Sequence, residues 1–477
     1  MAERDIIKKR GHSARERGET TSITEDIISK LPDAVIVHIL SFLPTLDVVR
    51  SCVLSKRWEF MWYSVPKLFF SDSSTTASDF HKFHNYVDNC LEHRKKGMHF
   101  IVDSATASFK LQMGFYRRSK AGCLDKWLGF AVENRVKELS LNLVPEKGKH
   151  YKYYYYCLPK SVVNLRYLTI LELSGLELGY SFSFPSLKSL SLKDVGLAYN
   201  VKNDVLSKSL LDCPSLEKLL LSSCHKFSTH HPLRIQSSSL KLMEIKSNAS
   251  LQVEAINLES LVLDLVCFGE INISACKAIR NLSLINCEWG KTDQSYLVSN
   301  LPHLENLTLD TKYYKSGLER LKISSQHLKS FKLSNGIYER DMIKDVTIKL
   351  TPKLTSFCYE GNMNCNISLE SPNLLNGKFV IKDYPPNYDT NWFINMINFF
   401  LNLNCSWNIV TLHVFSDEAL IMPDNCKRIC HSPLLNWKHV RVITRTRYTL
   451  RKSDLRDVLM WISPSLKTLS INGEGIF

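Results

Sequence analysis

From Val136 to Ile471 one block recurs, apolar-x-x-apolar-x-apolar, and a chain built on it can fold into little other than a stack of short parallel strands. Clear copies begin at Val136, Leu168, Leu187, Leu216, Leu240, Leu258, Ile279, Leu304, Leu328 and Leu354. Weaker ones begin at Leu374 (with Gly377 and Phe379), Ile409 (with Leu412 and Val414), Trp437 and Leu466. These starts lie about 25 residues apart on average, within the roughly 20–29 residues of a strand-and-return repeat. The interval runs from 18 residues (Leu240 to Leu258) to 35 (Leu374 to Ile409), which marks insertions in the returns.

In each block the apolar residues point into a solenoid and those between them face outward on the concave side. Ser189/Ser191/Lys193, Leu242/Glu244/Lys246, Ser260/Val262/Asp264, Asn306/Thr308/Asp310 and Ser330/Lys332/Ser334 are expected there. Leu206 to Leu211 and Tyr296 to Asn300 read as short helices that end before the next strand, each followed by a proline. Cys224 and Cys287 follow the last leucine of a block by three residues, where leucine-rich repeats place a buried Asn or Cys.

A different pattern occupies Leu31 to Trp62, LPDAVIVHILSFLPTLDVVRSCVLSKRWEFMW. It reads as three short helices showing more apolar side chain than they can bury alone. Val35, Ile36, Ile39, Leu40 and Leu43 line one side of a first helix that starts at Pro32 and ends before Pro44. Thr45 is the expected N-cap of the second helix, and Ser55 that of a third carrying Arg57, Trp58, Met61 and Trp62.

Leu31-Pro32-Asp33, Ile39-Leu40-Ser41-Phe42-Leu43-Pro44 and Val53-Leu54-Ser55-Lys56-Arg57-Trp58, with Trp62 beyond, resemble an F-box of the plant F-box/leucine-rich-repeat type. The resemblance covers about a tenth of the chain and keeps the motif's order without a gap. It implies docking to the Skp-family adaptor of a cullin-based ubiquitin ligase, with Leu31, Pro32, Ile36, Leu40, Leu43, Pro44, Val48, Leu54 and Trp58 forming or shaping the docking surface. The expected fold is α/β: a three-helix F-box followed by a leucine-rich-repeat solenoid with parallel strands on its concave face.

The domain limits are placed at 1–24 for a basic tail, 25–66 for the F-box, 67–135 for a connector and capping region, and 136–477 for the solenoid. In the connector, Phe80 to Arg94 has helical spacing, and Phe100 to Val102 with Leu124 to Val132 are expected to form a first, atypical repeat. The segment reads as a rigid adapter.

No catalytic motif is present. Gly290-Lys291-Thr292 resembles the end of a phosphate-binding loop, but Ile285 stands where its first glycine is required. Neither His-Glu-x-x-His nor Gly-x-Ser-x-Gly occurs. Fourteen cysteines without regular pairing point to reduced thiols. Cys426, Cys430 and His431, with Cys405 upstream, lack a second tight pair at zinc spacing, so neither metal nor cofactor is expected.

The N-terminus lacks an apolar h-region, and the apolar run from Leu258 to Ile273 is broken by Asp264, Gly269 and Glu270. Cytoplasm or nucleus is therefore expected, and no membrane partner. The net charge of +14 is concentrated in Lys427 to Arg456, while the central concave positions carry both signs. A phosphate backbone would need a continuous basic track with stacking aromatics, so nucleic acid is not the expected partner. His439, Arg441, Arg445 and Arg447 are the expected target-binding residues, facing an acidic segment. Lys8-Lys9-Arg10 is a nuclear-import candidate that also reads as a solvated tail.

Two other classes fit the same sequence: an interaction scaffold without a degradative role, and a small-molecule receptor. The second resembles plant hormone receptors, which hold a polyanion beneath the ligand. The central repeats lack the converging Arg and Lys side chains which that arrangement needs.

Overall fold

The computed structural model describes residues 28–477 except 73–76, 98–105, 148–152, 198–202, 224–231, 248–249, 265–270, 288–299, 312–318, 337–341, 404–406, 430–431, 433–434, 446–451, 477 and the single positions 372, 384 and 386. Cys224, the Tyr296–Ser299 portion of the expected helix, Lys8 to Arg10, Phe100 to Val102, Cys405, Cys430, His431 and Arg447 lie outside the described residues.

One seventeen-stranded sheet runs the length of the chain. It begins with Lys67–Asp72, Ser108–Met113 and Glu138–Leu143, and each strand pairs in parallel with the next in sequence. The parallel series ends at Thr468–Ile471, against which Glu474–Gly475 turns back antiparallel. The sheet therefore starts well before Val136, and the segment read as a connector supplies its first two strands.

Two apolar rows cross the sheet in register. Leu68, Phe109, Leu139, Leu171, Leu190 and Leu219 begin the first, which continues through Leu282, Phe331 and Phe357 to Gly377, Val410, Val440 and Leu469. Phe70, Leu111, Leu141 and Leu173 begin the second. All of these side chains are buried, and each leucine contributes about 2 kcal/mol by leaving water. At Gly377 the row has no side chain of its own because Trp407 and Phe379 fill the space: an added Cβ would meet either ring at 2.8 Å.

The Ile409 block is a register correction. Ile409 faces outward, and the inward set is Trp407, Val410 and Leu412, so the block read as Ile409/Leu412/Val414 is shifted by two residues. Alternation alone cannot distinguish two readings that share Leu412 and differ by one strand period.

The returns depend on repeat length. A strand advances about 3.3 Å per residue and a helix about 1.5 Å, so a short repeat crosses the back of the solenoid only in extended form. The 18-residue repeat from Leu240 to Leu258 returns through the strand Leu251–Glu254, which pairs with Leu233–Gln236 and Ile271–Asn272. The longest interval, ending at Ile409, holds the fourteen-residue helix Thr390–Leu403. Asn203–Leu211 forms the helix expected around Leu206. After several inner strands the chain turns through a left-handed residue: Gly175, Asp194, Ser223, Asn286 and Asn472 all have positive φ. Gly175 is required there, since a Cβ would overlap the carbonyl oxygen of Leu143.

Along one edge, the residue before seven successive inner strands is Lys188, Glu217, Lys241, Glu259, Arg280, Glu305 and Lys329. Their signs alternate without interruption. Lys241 pairs with Glu217 at 3.2 Å, Arg280 with Glu305 at 3.4 Å, and Lys329 with Glu305 at 2.8 Å.

Candidate functional site: the N-terminal helical face

Three helices precede the sheet: α1 (Asp33–Leu40), α2 (Thr45–Ser51) and α3 (Lys56–Ser64). Ser55 caps α3 as expected, its hydroxyl accepting the Trp58 N–H at 3.4 Å. Thr45 does not cap α2. Pro44 holds that position, and the buried Thr45 Oγ1 instead accepts the Phe69 N–H at 2.7 Å, fastening α2 to the first strand of the sheet.

The two halves of the F-box-like motif meet through Arg57. Its Nε donates to Asp33 Oδ1 at 2.9 Å and its Nη2 to the Leu31 carbonyl at 2.6 Å, which fixes the Leu31-Pro32 segment against α3.

The module is joined to the solenoid by Arg94, on the long helix α4 (Ala77–Gly97). Arg94 is fully buried; its guanidinium donates to the Trp62 carbonyl at 2.8 Å and to the Val65 carbonyl, and lies over the Trp62 ring at 5.0 Å. Those carbonyls end α3, where the helix dipole favours a cation, and this offsets the burial that lowers the Arg94 pKa to about 10. Helix α5 (Ala121–Glu133) braces α4 through the Trp127 indole N–H, which donates to Asp88 at 2.9 Å.

The nine expected docking residues divide into two sets. Ile36, Leu40, Val48 and Trp58 are buried in the protein's own core and shape the face from beneath. Pro32, Leu43, Pro44 and Leu54 are exposed, and Leu31 is half-buried. The expected docking set missed Phe42, Leu46, Val53 and Phe60, and sequence reasoning placed Val35 and Ile39 on the same side as Ile36 and Leu40. Residues at i and i+4 share a stripe. Ile36 and Leu40 form the inner stripe of α1 and Val35 and Ile39 the exposed outer one, so the helix is apolar on both sides. Phe42 (70% exposed), Val53 (87%) and Leu54 (64%) project furthest. Burial, with Glu59 nearby, raises the Cys52 thiol to about 11, so it stays neutral beside this face.

At the other end of the chain, His439 and Arg441 project outward from the strand His439–Thr444, with Arg445 just beyond it. His439 Nδ1 lies 2.8 Å from Thr468 Oγ1, and Arg441 is exposed. Of the expected central concave positions, Ser334 is buried, its hydroxyl donating to Glu360 at 3.1 Å.

The ten described cysteines are free thiols, and Cys426 donates to Thr390 Oγ1 at 3.5 Å. Among the described residues no group of three or more His, Cys, Asp or Glu side chains converges as a metal site, and no helix is long and apolar enough to cross a membrane.

Comparison with known proteins places the same two modules. Residues 28–70 match the F-box domain, and residues 102–334 match the At1g61320/AtMIF1 LRR domain. An Arabidopsis thaliana F-box/LRR-repeat protein, At4g15060, is 30% identical over 300 residues, 60% of this chain and 63% of its own length. The FBD-associated F-box proteins At1g32375 and At4g10400 of the same plant are 32% and 34% identical, over 48% and 42% of this chain and 52% and 46% of their own lengths. The chain thus spans about half to two thirds of the curated relatives it matches. It carries an F-box domain at its head and in-register leucine-rich repeats behind it, a combination similar to that of the Arabidopsis F-box/LRR-repeat protein.

Proposed function

We propose that this protein is a non-catalytic substrate receptor of a Skp-cullin-F-box ubiquitin ligase, working in the cytoplasm or nucleus. The F-box docks a Skp-family adaptor, which links it to a cullin, and the repeats hold a target protein. The observation that carries this reading is the exposed apolar surface of the N-terminal module, from Ile28 and Val35 to Val53, Leu54 and Phe60. Contiguous apolar surface of this kind is costly in water unless a partner covers it. The buried Arg94 junction then sets the solenoid at a fixed angle to whatever the F-box binds.

The test is capture of the purified adaptor by the full chain carrying Val53→Glu with Leu54→Glu. Both side chains are exposed, so the thermal midpoint should stay within about 2 °C while adaptor affinity falls at least ~30-fold, the loss expected when an apolar anchor becomes charged. Unchanged adaptor binding would remove the ligase reading and leave the scaffold class.

A further inference from the structure

Across five adjacent inner strands, Lys332, Cys358, Lys378, Thr411 and Arg441 stand in one register line on the concave face. Three of the five are cations, on every second strand. All three are exposed, and none makes an ion pair among the described residues. Several cations elsewhere on the solenoid are paired instead. Lys241, Arg280, Lys329, Lys344, Lys349 and Lys382 each hold a carboxylate within 4 Å. Glu360, beside the line, is engaged by Lys382 at 2.6 Å and by the Ser334 hydroxyl.

We infer that this line is the target-docking site, and that its ligand is an extended acidic peptide segment with a carboxylate at about every third residue. The spacing carries the assignment. Strands lie about 4.8 Å apart, so alternate strands set the cations about 10 Å apart, and a peptide extended in the polyproline II form advances about 3.1 Å per residue with three residues to the turn, so that every third side chain returns to the same face. A peptide crossing the strands therefore brings an acidic side chain to each cation at intervals of three residues. Thr411 and Cys358, between the cations, leave room for its smaller residues. No Phe, Tyr or Trp faces outward from these five strands, so they offer no stacking platform for single-stranded nucleic acid. His413, next to the line, has its pKa lowered by burial first and then by Lys378 and Arg445, against an opposing pull from Glu360.

This inference rests on the substrate-receptor reading, and the test separates the two. The full chain is titrated with a fluorescent peptide of four Glu-Ser-Ser repeats, with its Gln-Ser-Ser counterpart and with an oligothymidylate of similar length, and adaptor capture is measured on the same preparations. The Glu peptide is expected to bind at least tenfold more tightly than the Gln peptide at low salt. Lys378→Glu with Arg441→Glu should remove that preference, whereas Lys241→Glu on the ion-paired edge should not. Lys378→Gln with Arg441→Gln provides the same comparison if charge reversal impairs folding. Equal binding of the two peptides, an equal loss with Lys241→Glu, or preference for the oligothymidylate overturns the inference. Loss of adaptor capture by the unmodified chain would instead count against the receptor reading.

Discussion

The inner strands and the F-box treat apolar side chains in opposite ways. On the strands of the large sheet a single large apolar side chain, Ile443, is exposed; on the F-box and its approach nine are, from Ile28 to Phe60. Composition does not explain this, since both regions are rich in Leu, Ile and Val. The cause is how each kind of element finds a partner. A repeat strand is covered by the strands on either side, so every added repeat completes its neighbour's burial. Three short helices cannot enclose their own apolar arc, and the one side available for burial is taken up by the solenoid through Thr45 and Arg94. What remains exposed is the outer apolar arc of the three helices.

The comparison breaks if an inner residue can be removed cheaply. Leu282 is buried in the middle of the first apolar row, and Leu282→Ala should cost about 3–4 kcal/mol in urea unfolding, with adaptor binding at the native end unchanged. A cost below 1 kcal/mol would mean that neighbouring repeats absorb the cavity and that burial is not confined to adjacent strands.

Arg94 sharpens it at the boundary between the regions. Arg94→Met leaves the Trp62 and Val65 carbonyls without their donor and should cost about 2–3 kcal/mol. The loss should fall on the attachment of the F-box, seen as faster proteolysis between Trp62 and Lys67 while the repeats remain resistant. Uniform proteolysis along the chain would show that the two regions unfold as one.

The smallest effect concerns His84, buried against Phe80 and Trp127 with ring centroids 4.3 and 4.9 Å away. Neither ring nitrogen has a hydrogen-bond partner among the described residues. Burial, with Lys120 adding to it, lowers its pKa from 6.5 to about 4. Between these values the unfolded chain holds the proton and the folded chain does not, so stability is complete above pH 6.5 and falls as pH drops toward 4. His84→Phe should flatten that part of the pH–stability curve by about 2 kcal/mol. An unchanged slope would assign the acid sensitivity to other groups.

Most of the fold was legible in the sequence because a period of about 25 residues repeats the same inward pair. Where the period stretches, legibility falls. Leu68/Phe70 and Phe109/Leu111 are proper members of the two rows, but α4 and the neighbouring residues separate them by about 40 positions, so from sequence the sheet's start reads as a connector and capping region with one atypical repeat. Trp407 was missed as an inward residue because the glycine it compensates, Gly377, lies thirty residues earlier. The F-box helices were legible, but which stripe of α1 faces out was not, since helical spacing shows that Val35 and Ile36 are both apolar and not which of them the solenoid covers. On the concave face, Lys332 and Arg441 were placed facing outward from sequence; Lys378 completes their line only once the register of the weak Leu374 and Ile409 repeats is known.

The alternating edge gives the array a parity. Between Lys188 and Lys329 each of the five inner repeats faces two neighbours of opposite sign, and an even number of adjacent repeats can be removed or added without disturbing that order. Removing the Lys241 repeat alone would place Glu217 beside Glu259, whereas removing it together with the Glu259 repeat would place Glu217 beside Arg280. Each exposed pair is worth only about 0.5 kcal/mol, so the edge does not hold the solenoid together. It does count it: a chain of this kind lengthens and shortens most cheaply two repeats at a time.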